Sequence, residues 1–159
     1  MKTSLSRTLV GLLATAGLIG ASVNSQAATA TGNFNVNIAL TSKCEINSTA
    51  AATGAVITDI DLTYTSFQTT AATGSTGFNV RCTNNLPYTL ALDSTSVTDA
   101  ALNLAYTLTL SAASNTGNGA NQAYTVDATM AAGQAGTCAT ATCDNTASAN
   151  KQRTLTITY

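Results

Sequence analysis

The chain has 159 residues, of which only 8% are charged, with six Lys or Arg against seven Asp or Glu, four Cys and no His. So weak a charge, slightly acidic, excludes the basic surface that nucleic acid or an anionic membrane would need. The lack of any His removes the usual activator of a Ser or Cys nucleophile. No phosphate loop or paired catalytic carboxylate stands out either, so an enzyme is not expected and no cofactor is implied.

Lys2 and Arg7 open the chain, and an uncharged run over residues 8–21 follows, carrying Leu9, Val10, Leu12, Leu13, Leu18 and Ile19. Ser25-Gln26-Ala27 then places small residues where a signal peptidase reads. This order is that of a secretory signal over residues 1–27, cleaved after Ala27, with Ala30 as the second choice. The apolar run falls short of the roughly 20 residues that a bilayer requires, and no later segment is a membrane-span candidate. The mature part, from residue 28, keeps four basic residues against seven acids and is long enough for one domain with a single core.

From there the dominant period is two. Phe34, Val36, Ile38 and Leu40 alternate with polar or small residues. Val56, Ile60, Leu62 and Tyr64 continue the pattern, then Phe78, Val80 and Cys82, then Tyr88, Leu90 and Leu92. Leu102, Leu104, Tyr106, Leu108 and Leu110 form the longest run; Tyr124, Val126 and Ala128 follow, and Leu155, Ile157 and Tyr159 close the chain. Alternation of this kind, rich in Thr, Val, Ile and Tyr, predicts strands with one buried face. About seven of them, separated by turn-forming residues, predict an all-β antiparallel sandwich or barrel. The five Tyr fall on core-facing phases. Residues 112–122 and 131–150 are small, polar and Gly-containing, and are expected as long surface loops.

Cys44, Cys82, Cys138 and Cys143 all lie in the mature part, and an even count in an exported chain points to disulfides. Three pairings are formally open. Closeness in sequence favours Cys138 with Cys143, which leaves Cys44 with Cys82. Zinc would need all four Cys at irregular spacing, so no metal site is expected. Asp59 and Asp61 are too few ligands for calcium and are expected as solvated positions. Asn47-Ser48-Thr49 matches a glycosylation pattern, a weak signal on its own.

Two segments stand out by position. The last strand, residues 153–159, stops with the chain. The first candidate strand, residues 32–40, starts soon after the cleavage site. A sandwich lacking its closing strand leaves an apolar edge that must be covered. A strand from another chain can cover it with ladder hydrogen bonds and alternate side chains, and residues 34–40 have that form. The alternation fits equally well a first strand of the chain's own closed sandwich, as in a monomeric secreted binding or surface-coat module.

The stretch from Cys44 to Asp93 resembles the spore coat protein U-like domain of archaic chaperone–usher pilins. The resemblance is carried by Cys44-Glu45-Ile46-Asn47, Asp61-Leu62-Thr63-Tyr64, Gly77-Phe78-Asn79-Val80-Arg81-Cys82-Thr83-Asn84 and Pro87-Tyr88-Thr89-Leu90-Ala91-Leu92-Asp93. Residues 31–38 are similar to the family's donor segment and residues 155–159 to its final strand. Residues 112–150 depart from the family pattern, and the Cys138/Cys143 pair looks like an addition. The resemblance implies an incomplete immunoglobulin-like sandwich over residues 41–159, bridged by Cys44–Cys82 and completed by donor-strand exchange. Phe34, Val36, Ile38 and Leu40, within a donor segment at 28–40, would enter a neighbouring identical or related pilin subunit. A periplasmic chaperone would pair with the strand carrying Leu155, Ile157 and Tyr159 until the subunit reaches an outer-membrane usher. The implied product is a cell-surface pilus for adhesion and biofilm.

Overall fold

The computed structural model describes residues 28–47 and 55–159; the secretory signal expected at 1–27 and Ser48 and Thr49 of the glycosylation pattern lie outside them. The chain divides into two units, with the boundary after Ile38. Described by itself, the stretch 28–38 contains no strand, and every residue in it is exposed.

Among the described residues, the unit from Ala39 onward holds eight strands: β1 (Cys44–Ile46), β2 (Ala72–Cys82), β3 (Pro87–Leu92), β4 (Ser96–Thr98), β5 (Ala105–Leu110), β6 (Ser114–Thr116), β7 (Gln122–Met130) and β8 (Leu155–Thr158). They form a five-stranded sheet in the order β1-β2-β7-β5-β4 and a three-stranded sheet in the order β6-β3-β8. All pairings are antiparallel. Among the described residues the fold is thus all-β and antiparallel, as the alternation predicts, and consistent with the immunoglobulin-like sandwich that the resemblance implies.

Alternation positions the core. Phe78, Val80 and Cys82 on β2, Tyr88 and Leu90 on β3, Leu108 on β5, and Tyr124, Val126 and Ala128 on β7 point inward and are buried, while their neighbours along each strand are exposed. Phe78 and Tyr124 oppose each other across β2 and β7, with ring centroids 5.6 Å apart. Tyr124 also meets the hydroxyl of Tyr88 from the other sheet. Burial raises the Tyr88 phenol, reinforced by that hydroxyl contact, so it serves as a neutral hydrogen-bonding post between the sheets. The disulfide Cys44–Cys82 joins directly opposed residues of β1 and β2, and Cys138–Cys143 closes a short exposed loop.

Several details differ from the periodicity. The run 102–110 forms a strand only from Ala105, because a turn over residues 100–102, closed by the Asn103 amide on the Asp99 carbonyl, interrupts it, with Asn103 at a φ of 52°. Residues 96–98 and 114–116 form short strands, the latter inside the expected loop 112–122. Residues 131–150 carry no strand. Tyr159 lies beyond β8 and is 56% exposed, contrary to its core-facing phase, because no neighbouring strand covers it.

The sandwich has two distinct poles. At one pole lie the Cys44–Cys82 bridge, the 83–87 turn, β6 and the end of β8. Gly117 packs close to Cys82 and Thr83, and Pro87 opposes Thr116. At the opposite pole lie the 64–68 turn, the start of β2 and the 131–137 loop. The start of β8 is also there, where Leu155 opposes Leu92 and Arg153 pairs with Asp93.

Candidate functional site

The site is built from two extended segments that leave backbone groups unpaired. The first is β8. Thr158, Ile157, Thr156 and Leu155 pair with residues 89–92 of β3, and β8 ends its sheet. Among the described residues, its other edge therefore presents unused N–H and C=O groups. Leu155 and Ile157 point toward the core yet stay only half-buried, unlike the inward residues of β7, which has strands on both sides. The missing neighbour accounts for the difference.

The second segment is residues 55–64. Ala55, Ile57, Ile60 and Leu62 pack against the core cluster, and half-buried and exposed residues alternate as in a strand. Yet it belongs to no strand. Among the described residues, no backbone group of 57–64 bonds to another backbone group. Its ends are pinned by side chains. The Asn47 amide donates to the Val56 carbonyl at 2.8 Å, and the Tyr64 hydroxyl donates to the Ala131 carbonyl at 3.0 Å. Midway, it crosses β2 at Gly74, where a Cβ would come within 2.8 Å of Ile60 and 3.0 Å of the Asp61 carbonyl. Only a glycine permits that approach.

The phase of this segment corrects the sequence reading. Val56, on the apolar phase with Ile60, Leu62 and Tyr64, is exposed, while Ile57, off that phase, is half-buried. Thr58 and Asp59 are both exposed, so the alternation slips by one residue before Ile60, Leu62 and Tyr64 resume it as expected. A repeat of two residues does not reveal such a slip. The contribution of Gly74 was equally hidden, since an isolated Gly in a strand pattern signals only a close approach of unknown identity.

Phe34, Val36, Ile38 and Leu40 are 86%, 72%, 86% and 80% exposed. The structure therefore does not make residues 33–40 a strand of the chain's own sheets. Four alternate apolar side chains left in water are costly, at roughly 1.5–3 kcal/mol each relative to burial, and such a stripe marks an interaction surface.

A family model for the spore coat protein U domain matches residues 30–138. The chain belongs to the spore coat protein U domain family. The match takes in the exposed apolar stripe, segment 55–64 and the Cys44–Cys82 bridge, and it runs on through residues 112–138, part of the stretch 112–150 expected to depart from the family pattern. β8 lies beyond it. No curated protein and no solved structure matches the chain. Membership of the family identifies a structural subunit of pilus or coat type, a component of an extracellular surface structure rather than an enzyme.

Proposed function

We propose that this spore coat protein U domain protein is a pilus subunit that polymerises by donating residues 34–40 to a neighbouring copy. The observation that carries the reading is the match between a surplus and a deficit. One segment has four exposed apolar side chains on alternate positions and lies in no strand. Among the described residues, one sandwich has an unpaired β8 edge and an unpaired, strand-like segment 57–64 beside the same core. Seven donated residues span about 23 Å and the eight of 57–64 about 26 Å, so the lengths agree. Burial of the four side chains contributes roughly 6–12 kcal/mol before ordering costs. The new backbone hydrogen bonds would satisfy groups otherwise left to water. Removal of residues 1–27 would put the donor close to the N-terminus of the mature chain.

In this reading a periplasmic chaperone covers the same deficit before assembly, pairing beside Leu155 and Ile157, and an outer-membrane usher exchanges it for the next subunit's donor. The resulting fibre serves surface attachment and biofilm. Because the donated strand completes the acceptor's core, dissociation would require partial unfolding of the acceptor, and the joint would be kinetically persistent. Deleting residues 28–40 tests this. The shortened subunit should accumulate bound to its chaperone without forming fibres, and normal fibre growth from it would refute the proposal.

A further inference from the structure

Phe67 combines three properties that residues 33–64 do not explain. It is 71% exposed, it holds a left-handed φ of 64°, and it is fixed in place. A bulky side chain at positive φ is a rare, strained conformation that persists only where its surroundings impose it. Here they do: the Phe67 amide donates to the Gln134 carbonyl at 2.8 Å, and the Ser66 hydroxyl donates to the Ala135 carbonyl at 2.6 Å. Gln134 is itself locked to Ala105 by a reciprocal pair of bonds at 2.6 and 2.9 Å. An apolar ring is thus presented to water on a rigid platform at the pole where β8 begins.

The opposite pole carries a notch of about 210 Å³ lined by Lys43, Glu45, Arg81, Cys82, Thr83 and Gly119. Glu45 sits buried at its base, bonded to Lys43 at 2.6 Å and to Arg81, while those two cations stay about half exposed. One carboxylate against two cations leaves the notch positive, and exposed cations with long apolar stems suit the face of an aromatic ring.

We infer that Phe67 of each subunit seats in the Lys43–Arg81 notch of the copy whose strand it has received, forming a second, end-to-end contact along the fibre. This rests on the strand-donation reading and follows from two constraints. Only Thr41, Ser42 and Lys43 separate the last donated residue, Leu40, from Cys44, buried in its own sandwich. Four Cα steps reach at most about 14 Å, so the donor's disulfide pole must lie against the acceptor pole where the strand leaves. The second constraint is which pole that is. A strand leaving at the acceptor's disulfide pole would bring the donor's body onto the pole from which the acceptor's own residues 41–43 depart. Leaving at the opposite pole uses each pole once and gives a head-to-tail contact that repeats without closing, as a filament needs. There the donated strand runs alongside 57–64, and Phe67 stands three residues past its end.

Fibres assembled from the Phe67→p-benzoylphenylalanine subunit and irradiated test this, with Thr109, exposed on β5, as the control position. The expected result is a covalent dimer cross-linked from 67 to the neighbour's residues 43–45, 81–83 or 119, and no dimer from position 109. Fibres that form but cross-link from 67 elsewhere, or not at all, would overturn the end-to-end contact while leaving strand donation standing. Failure of the unsubstituted chain to form fibres would overturn both. A Phe67→Ser subunit gives a second readout. Its fibres should form and keep their heat-resistant ladders but lose at least half of their persistence length, and unchanged stiffness would contradict the contact.

Discussion

Asp99 is one of the few buried carboxylates, and its partners explain why it stays charged. Burial alone would raise its pKa. The Leu102 amide, Asn145, Ser148 and the Ala101 amide more than offset that, so its carboxyl lies below the ordinary value of 3.8. Through Asn145 it ties the 131–150 loop to the 99–102 turn. A lowered folded-state pKa means that the charge stabilises the fold above 3.8 and that this contribution drains away as pH falls through the folded value. Asp99→Ala should cost about 2–3 kcal/mol at neutral pH, since it strands two amides and an asparagine, and should flatten the loss of stability below pH 3.8. Denaturant melts at pH 7 and at stepped acidic values check both. Thr76 makes the opposite case. Its hydroxyl is buried with no partner among the described residues. Thr76→Val should therefore raise stability by about 1 kcal/mol in the same melts, and a loss would show that the hydroxyl has a partner in solution.

At the scale of elements, the two disulfides should differ in weight. Cys44–Cys82 spans 38 residues and Cys138–Cys143 only five. On chain-entropy grounds replacing the first pair by Ala should cost about 4 kcal/mol and the second about 2 kcal/mol, as thermal or denaturant unfolding of the two double variants would show. Gly74→Val should push residues 60–62 off β2 and weaken fibre assembly more than it weakens the isolated fold, because it deforms one wall of the proposed acceptor. Much of this architecture was legible in alternation: β2, β3, β7 and β8 lie where Phe78–Cys82, Tyr88–Leu92, Tyr124–Ala128 and Leu155–Ile157 predict them. What was not legible has local causes. β4 and β6 are three residues each, too short to show a period. The 102–110 run is cut by a turn that Asp99 caps with its side chain. Segment 55–64 slips phase at Thr58 and Asp59. Segments 33–40 and 55–64 both read as strands, and alternation cannot say that neither finds a partner strand among the described residues. Phe67 left no periodic signal at all, since it stands alone in a turn.

In the proposed fibre, the exposed stripe 33–40 of one copy meets the unpaired β8 edge and segment 57–64 of another. Residues 33–40 and 57–64 would then gain backbone hydrogen bonds only on assembly. Hydrogen exchange measured by mass spectrometry on assembled fibres and on the unassembled mature chain tests it directly. Both segments should exchange fast in the unassembled chain, and both, together with β8, should be strongly protected in fibres. Protection of residues 33–40 in a stable monomer, or fibres in which 33–40 and 57–64 still exchange freely, would contradict it.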